Sequence, residues 1–137
     1  MRHLIGGILE DEQRVTIVDM EAGVEHLSRG TGRYVDTLLV TLEPYYKALE
    51  TSRRCAELGR ELNIPHVLGV ANKVRDAADA DAVKAFAAAH GIPLVATIPF
   101  DDAVRLADLA GTPFVDAQPN AAASELDRLA GWLLANN

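Results

Sequence analysis

A short acidic segment that directly follows a run of β-branched residues is the stretch of this sequence best suited to chemistry. Val15-Thr16-Ile17-Val18 is followed by Asp19, and Glu21 and Gly23 come shortly after it. Consecutive β-branched residues are typical of a strand buried on both faces of a parallel sheet. Ligands of such sheets bind beyond the carboxyl ends of the strands, where Asp19 could hold the Mg²⁺ of a nucleotide. Alternatively, this acid caps the next helix or is solvated at the strand end.

Polar or turn-forming residues also follow three later apolar runs. Parallel strands end at the same edge of a sheet, so we expect these residues to lie near one another. The runs and the residues after them are Leu38–Leu42 before Glu43-Pro44, His66–Val70 before Ala71-Asn72-Lys73, and Pro93–Ile98 before Pro99-Phe100-Asp101.

Helical periodicity separates the apolar runs and predicts the fold class. The predicted helices are the end of a helix at 2–10, a short helix at 24–35, Tyr45–Leu62, a helix started by Asp79 or Asp81 and stopped by Gly91, one capped by Asp101-Asp102, and a final one through Leu126 and Leu134. Strands alternating with helices indicate parallel pairing through right-handed crossovers. We therefore predict one α/β domain over residues 1–137, with three α/β/α layers and a mainly parallel sheet of four strands.

Composition excludes several classes of function. The net charge of −7 and the scattered Lys and Arg residues argue against nucleic-acid binding. Cys55 is the only cysteine, which excludes an internal disulfide or a Cys-based zinc site and fits a reducing cytoplasm. It lies on the apolar stripe of the predicted helix Tyr45–Leu62, which indicates a small core residue. No apolar run reaches the roughly 20 residues of a membrane span, and no signal peptide is recognisable. We therefore expect a cytoplasmic protein.

Taken together, the strand ends resemble one known family. The run Asp19-Met20-Glu21-Ala22-Gly23-Val24-Glu25-His26-Leu27 is similar to the Walker B and switch II region of MinD/ParA-type deviant P-loop ATPases, and most of all to the CooC-type ATPases that mature nickel carbon-monoxide dehydrogenase. Glu43-Pro44, Asn72-Lys73-Val74 and Ile98–Asp101 continue the resemblance in the family's order. The resemblance covers nearly the whole chain and implies a partial P-loop NTPase fold.

The resemblance also implies roles for individual residues, with ATP or ADP and Mg²⁺ as cofactors. Asp19 would hold Mg²⁺ through water, and the backbone N–H of Gly23 would sense the γ-phosphate. Asn72 would read the adenine beside Lys73, and Pro99, Phe100 and Asp101 would line the base pocket. Glu21, Glu25 and His26 would lie on the switch and couple the nucleotide state to a partner.

One departure from the family bears directly on activity. The phosphate-binding sequence G-x-x-x-x-G-K-[ST] occurs nowhere in the 137 residues, and Gly6-Gly7 is followed by Ile8-Leu9. The family's paired cysteines are also absent. Phosphoryl transfer requires charge neutralisation at the β- and γ-phosphates, so we expect no ATP hydrolysis by this chain alone. The expected partners are a Walker A half or second subunit, a second copy of the chain, or a nickel metalloenzyme.

Two other functions remain open. The chain could be a non-enzymatic module that keeps the switch surface for docking a partner. It could also be a self-contained domain like a flavodoxin or a response regulator, with Asp19, Glu21 and Asp101 forming an acidic pocket. The second alternative lacks the Thr/Lys pair that a phospho-acceptor site requires at its later strand ends.

Overall fold

The computed structural model describes residues 15–19, 35–114 and 120–136. Strands and helices alternate over the longest of these ranges, and a final helix follows. The elements are β1 (Thr37–Leu42), α1 (Tyr46–Glu61), β2 (His66–Val74), α2 (Ala77–Ala89), β3 (Leu94–Pro99), α3 (Asp102–Ala110) and α4 (Ala121–Asn136). Among the helices in these ranges, none has both the length and the apolar character of a membrane span.

The sheet is parallel throughout, with strand order β1-β2-β3. Thr37 pairs with His66 and Leu42 with Ala71, so β1 and β2 run side by side over the whole length of β1. The predicted α/β class with a parallel sheet is confirmed. In the described ranges the sheet has three strands where the sequence predicted four.

The prediction of a strand at Val15–Asp19 is wrong. These residues are described without regular secondary structure, and the side chains of Val15 and Ile17 are 72% and 90% exposed. The β propensity of branched residues reflects packing in a sheet, and it is not realised without a neighbouring strand. No strand of the described ranges pairs with this segment. The helices predicted at 2–10 and 24–35 lie outside the described residues.

Helix α1 packs on the sheet through the stripe that its sequence predicts. Leu49, Ser52, Ala56 and Gly59 are its buried residues. The Ser52 hydroxyl oxygen lies 2.6 Å from the carbonyl oxygen of Thr41 and 2.8 Å from that of Ala48, so its single hydrogen ties the helix to β1. The helix and the sheet are therefore joined by a polar contact as well as by apolar burial.

Helix α2 begins earlier than the sequence predicted. Its N-cap is Asp76, not Asp79 or Asp81, and the Asp76 carboxylate accepts a hydrogen bond of 2.9 Å from the backbone N–H of Asp79. The Asp79 carboxylate in turn accepts from the N–H of Arg75. The two carboxylates thus accept from backbone N–H groups on either side of the helix start, about one turn before the start that the sequence predicted. Gly91, at φ +62°, ends the helix as predicted.

Gly69, in the middle of β2, is a site where a side chain cannot fit. A Cβ there would lie 2.9 Å from each of three side-chain carbons, which belong to Leu42, Ile92 and Leu94. We expect Gly69→Ala to lower the free energy of unfolding in urea by about 1–3 kcal/mol, because the packed core must shift. Gly131→Ala is the matched control: nothing lies within 4 Å of its Cβ, so better helix propensity should raise stability by about 0.5–1 kcal/mol. Equal effects of the two substitutions would contradict this packing.

Burial raises the pKa of the half-buried Cys55 thiol above its ordinary value. The folded state therefore holds the proton more tightly than the unfolded state. Stability should fall as the pH rises above the ordinary thiol pKa, and native Cys55 should react slowly with iodoacetamide at pH 8. Alkylation should accelerate in urea, and Cys55→Ala should abolish both the labelling and this pH dependence. Labelling at the same rate with and without urea would be the contrary result.

Candidate functional site

The carboxyl edge of the sheet brings together most of the residues that the sequence placed in a base pocket. Asn72 lies near the end of β2, and Pro99 ends β3. Val74 is paired with Pro99, and the backbone N–H of Phe100 donates a 2.9 Å hydrogen bond to the carbonyl oxygen of Val74. Glu43 follows β1 at the same edge. Three adjacent strand ends therefore present an amide, a carboxylate and an aromatic ring along one rim.

A bulge at Asn72-Lys73 shapes the middle of this rim. Ala71 pairs with Thr97 and Val74 with Pro99, so β2 has one residue more than β3 in this interval. Lys73 has a φ of 56°, in the left-handed region. A residue other than glycine adopts this conformation at a cost of about 1–2 kcal/mol. Bulges beside sites re-aim a side chain, and Asn72 is one of the two residues in this bulge.

An ion pair to the neighbouring strand end holds the bulge. The Nζ atom of Lys73 lies 2.7 Å from the Oε1 atom of Glu43. Exposed pairs contribute about 0.2–1 kcal/mol, which is less than the cost of the backbone conformation. The ion pair therefore offsets part of the strain at Lys73.

Arg75 was not singled out from the sequence, but it forms part of the same rim. Its guanidinium carbon lies 4.8 Å from the centre of the Phe100 ring. The half-exposed Phe100 follows β3, whereas Arg75 follows β2, so the contact joins the segments that follow two adjacent strands. An arginine after a strand carries no sequence signal for such a contact, because its partner lies far along the chain. The pair presents a flat cationic surface of the kind on which aromatic rings stack.

The Asp101 carboxylate has a structural role at the start of helix α3. One of its oxygens accepts a 2.9 Å hydrogen bond from the backbone N–H of Ala103 and so caps α3. The prediction that Asp101-Asp102 starts this helix is confirmed. Because the cap fixes the chain just after Pro99 and Phe100, it also fixes the backbone groups that the resemblance assigned to the base pocket.

The acidic segment that opened the sequence analysis is not brought to this rim by strand pairing. Asp19 is exposed and lies outside the sheet. Glu21, Gly23, Glu25 and His26 lie outside the described residues, so their predicted roles stay predictions. The described ranges contain no group of three or more His, Cys, Asp or Glu side chains able to hold a metal. Asp19 fits Mg²⁺ only as a single carboxylate that acts with water and nucleotide phosphates.

Comparisons with known proteins identify relatives of this chain. No family model matches it. It is 35% identical over 119 residues to the carbon monoxide dehydrogenase accessory protein CooC of Rhodospirillum rubrum, covering 87% of this chain and 44% of that protein. It is 30% identical over 136 residues to an uncharacterized ATP-binding protein of Methanocaldococcus jannaschii, covering 98% of this chain and 51% of that protein. The chain therefore spans about half the length of these relatives.

Solved structures agree at the level of the fold. MinD of Aquifex aeolicus superposes with a TM-score of 0.66 at 15% identity, over 77% of this chain and 46% of that protein. The cell division ATPase MinD of Pyrococcus furiosus gives a TM-score of 0.61 at 21% identity, over 77% of this chain and 45% of that protein. The described part of the chain therefore has the fold of these MinD proteins. Over the part that it matches, it is related to CooC.

Within this MinD/ParA-type fold, the α3 cap can be tested separately from the charge of Asp101. Asp101→Ala should lower the free energy of unfolding by about 0.5–2 kcal/mol, since the N–H of Ala103 loses its acceptor. Asp101→Asn keeps an acceptor oxygen and should stay close to the wild type. Urea unfolding followed by circular dichroism measures both. If Asp101→Asn destabilised as much as Asp101→Ala, charge and not capping would be the contribution of this residue.

Proposed function

We propose that this chain is the base-binding part of a CooC-like nucleotide-binding protein and does not hydrolyse ATP by itself. ATP or ADP is the proposed ligand. The adenine lies at the rim formed by Asn72 and Pro99–Asp101, and Mg²⁺ arrives with the phosphates beside Asp19. Hydrolysis requires a phosphate-binding segment that carries a Walker A loop, supplied by another polypeptide or a second subunit.

The observation that carries the proposal is the meeting of Asn72 with Pro99–Asp101 at the carboxyl edge of a parallel sheet. This edge is where open α/β sheets bind their ligands. Asparagine has both a donor and an acceptor and can match the N6 and N7 atoms of adenine. The Arg75–Phe100 contact beside it supplies a flat surface for the ring. The rim thus has both elements of base recognition, a hydrogen-bonding edge and a stacking face.

The outer edge of β1 supports the proposal that a further polypeptide segment is required. Within the described ranges, β1 pairs with β2 alone, and Leu39 is 38% exposed. The apolar side chains of Val15 and Ile17 are exposed as well. Such surfaces are usually covered by another strand or element. The relatives, of which this chain spans about half, have the additional length to supply one.

The proposed client follows from the role of the CooC relative. That relative is an accessory protein of carbon monoxide dehydrogenase. We extend this role to the present chain, with a nickel metalloenzyme as partner and nucleotide binding as the step that it contributes. A homodimer is the proposed assembly if the phosphate-binding segment comes from a second subunit.

The binding proposal predicts a specific pattern of affinities in calorimetry. The isolated chain should bind AMP and ATP with similar, weak affinity, because it has no Walker A loop to hold the β- and γ-phosphates. Adding a polypeptide that contains the part of the CooC relative not covered by this chain should strengthen ATP binding about tenfold or more and start phosphate release. Asn72→Ala should weaken AMP binding about tenfold, the equivalent of one hydrogen bond to a base. Asn136→Ala, at the end of α4, is the matched control and should have no effect.

Two results would reject the proposal. One is tight ATP binding by the isolated chain, with AMP bound much more weakly. The other is AMP binding that Asn72→Ala and Asn136→Ala leave equally unchanged.

A non-enzymatic docking module is the second candidate, and the exposed position of Asp19 outside the sheet favours it. In that case the chain would contribute a surface to its partner, and the carboxylate of Asp19 would have no metal to hold. Asp19→Ala would then leave the maturation of the client metalloenzyme unchanged, whereas the nucleotide-binding function requires that activity to fall.

A further inference from the structure

We propose that Glu43 and Lys73 are positioning residues for Asn72: their ion pair holds the β2 bulge in the form that presents the Asn72 amide to a base. This inference rests on the proposed nucleotide-binding function and adds two residues to it. Neither side chain needs to touch the base. Their role is to fix the direction of the residue that does.

Three observations meet at this point of the rim. The bulge places one additional residue in β2 between Ala71 and Val74. Lys73 takes a left-handed conformation, with φ at 56°. Its ammonium group lies 2.7 Å from the Glu43 carboxylate, which follows the adjacent strand. The ion pair therefore links two strand ends and restrains Lys73, the residue that departs from regular strand geometry.

The bulge determines which way Asn72 points. Asn72 and Lys73 together oppose the single residue of β3 between Thr97 and Pro99, so Asn72 is itself part of the bulge. Ala71 and Val74 are both held by strand pairing, so relaxation of Lys73 to an extended conformation requires a compensating change in the backbone of Asn72, which would redirect its side chain. Within the described part of the chain, the half-buried Asn72 side chain makes no hydrogen bond of its own. Its direction therefore depends on the backbone that carries it.

The chemistry of adenine explains why this direction matters. The amide of asparagine pairs with adenine through one donor and one acceptor, and both must be aligned. Guanine offers two acceptors at the corresponding positions, so it gains less from an aligned amide. A positioning device at Asn72 should thus act on discrimination between the bases more than on binding of the shared ribose and phosphate.

The first test uses the full chain without nucleotide and observes the Asn72 side-chain amide by NMR. Its signal is assigned by its loss in Asn72→Ala, and its order is measured by the ¹H–¹⁵N heteronuclear NOE. Glu43→Gln should lower this NOE, and the exchange Glu43→Lys with Lys73→Glu should restore it. Glycine adopts a positive φ without strain, so Lys73→Gly should keep the bulge without the ion pair and leave this NOE closer to the wild-type value.

The matched control is Asn63→Gly, at the other non-glycine residue of the described ranges with a positive φ, which is 58° there. Asn63 follows α1 near its C-terminal end, so its substitution should leave the Asn72 amide unchanged. The inference is overturned if Glu43→Gln keeps Asn72 as ordered as in the wild type, or if Lys73→Gly lowers the NOE as much as Glu43→Gln does. It is also overturned if the exchanged pair fails to restore the order.

The second test compares AMP with GMP by titration of the same variants. Glu43→Gln should weaken AMP binding about fivefold and change GMP binding little, so that the preference for adenine falls. An equal loss for both nucleotides would contradict the positioning role. If the wild-type chain bound neither nucleotide, the proposed function would fail, while the order of the Asn72 amide would still decide the role of the ion pair.

Discussion

The central strand β2 must pair on both sides, and this constraint organises the described part of the protein. β1 and β3 both run parallel to β2, so the chain has to return across the sheet after each strand, and α1 and α2 make those returns. The space around Gly69 limits how closely the strands and helices can pack, because three branched side chains from the neighbouring segments converge on it. Once this packing is set, the three strand ends must lie along one edge. The geometry of the candidate site is thus a consequence of the core.

The sequence correctly predicted the features of the fold that depend on residues close to one another in the chain. The buried stripe of α1, the cap at Asp101 and the stop at Gly91 each depend on residues close in sequence, and all three are present. The strand predicted at Val15–Asp19 failed for the opposite reason. Its branched residues favour a sheet only where a neighbouring strand accepts them, and sequence periodicity does not reveal whether that neighbour exists.

The candidate site shows the same division between near and distant interactions. The sequence indicated Asn72, Lys73 and Pro99–Asp101 through their position after apolar runs and through family resemblance. It did not indicate the conformation of Lys73, its contact with Glu43, or the stacking of Arg75 on Phe100. These contacts join residues from different strand ends, so they depend on strand order and register. The bulge in β2 likewise depends on two strands, since the additional residue in β2 is defined only by comparison with its partner strand β3.

The outer edge of β1, which pairs with no strand of the described ranges, has a further consequence for the behaviour of the chain in solution. An uncovered strand presents regularly spaced backbone donors and acceptors, which can template the addition of strands from identical molecules. Over Leu38–Leu42 the exposed residues Leu39 and Thr41 alternate with buried Val40 and Leu42, and no charged residue is present to discourage such growth. The net charge of −7 acts against it, because copies of the chain repel one another before their edges meet. Colloidal stability should therefore depend on ionic strength, and salt that screens this repulsion favours assembly through the sheet edge.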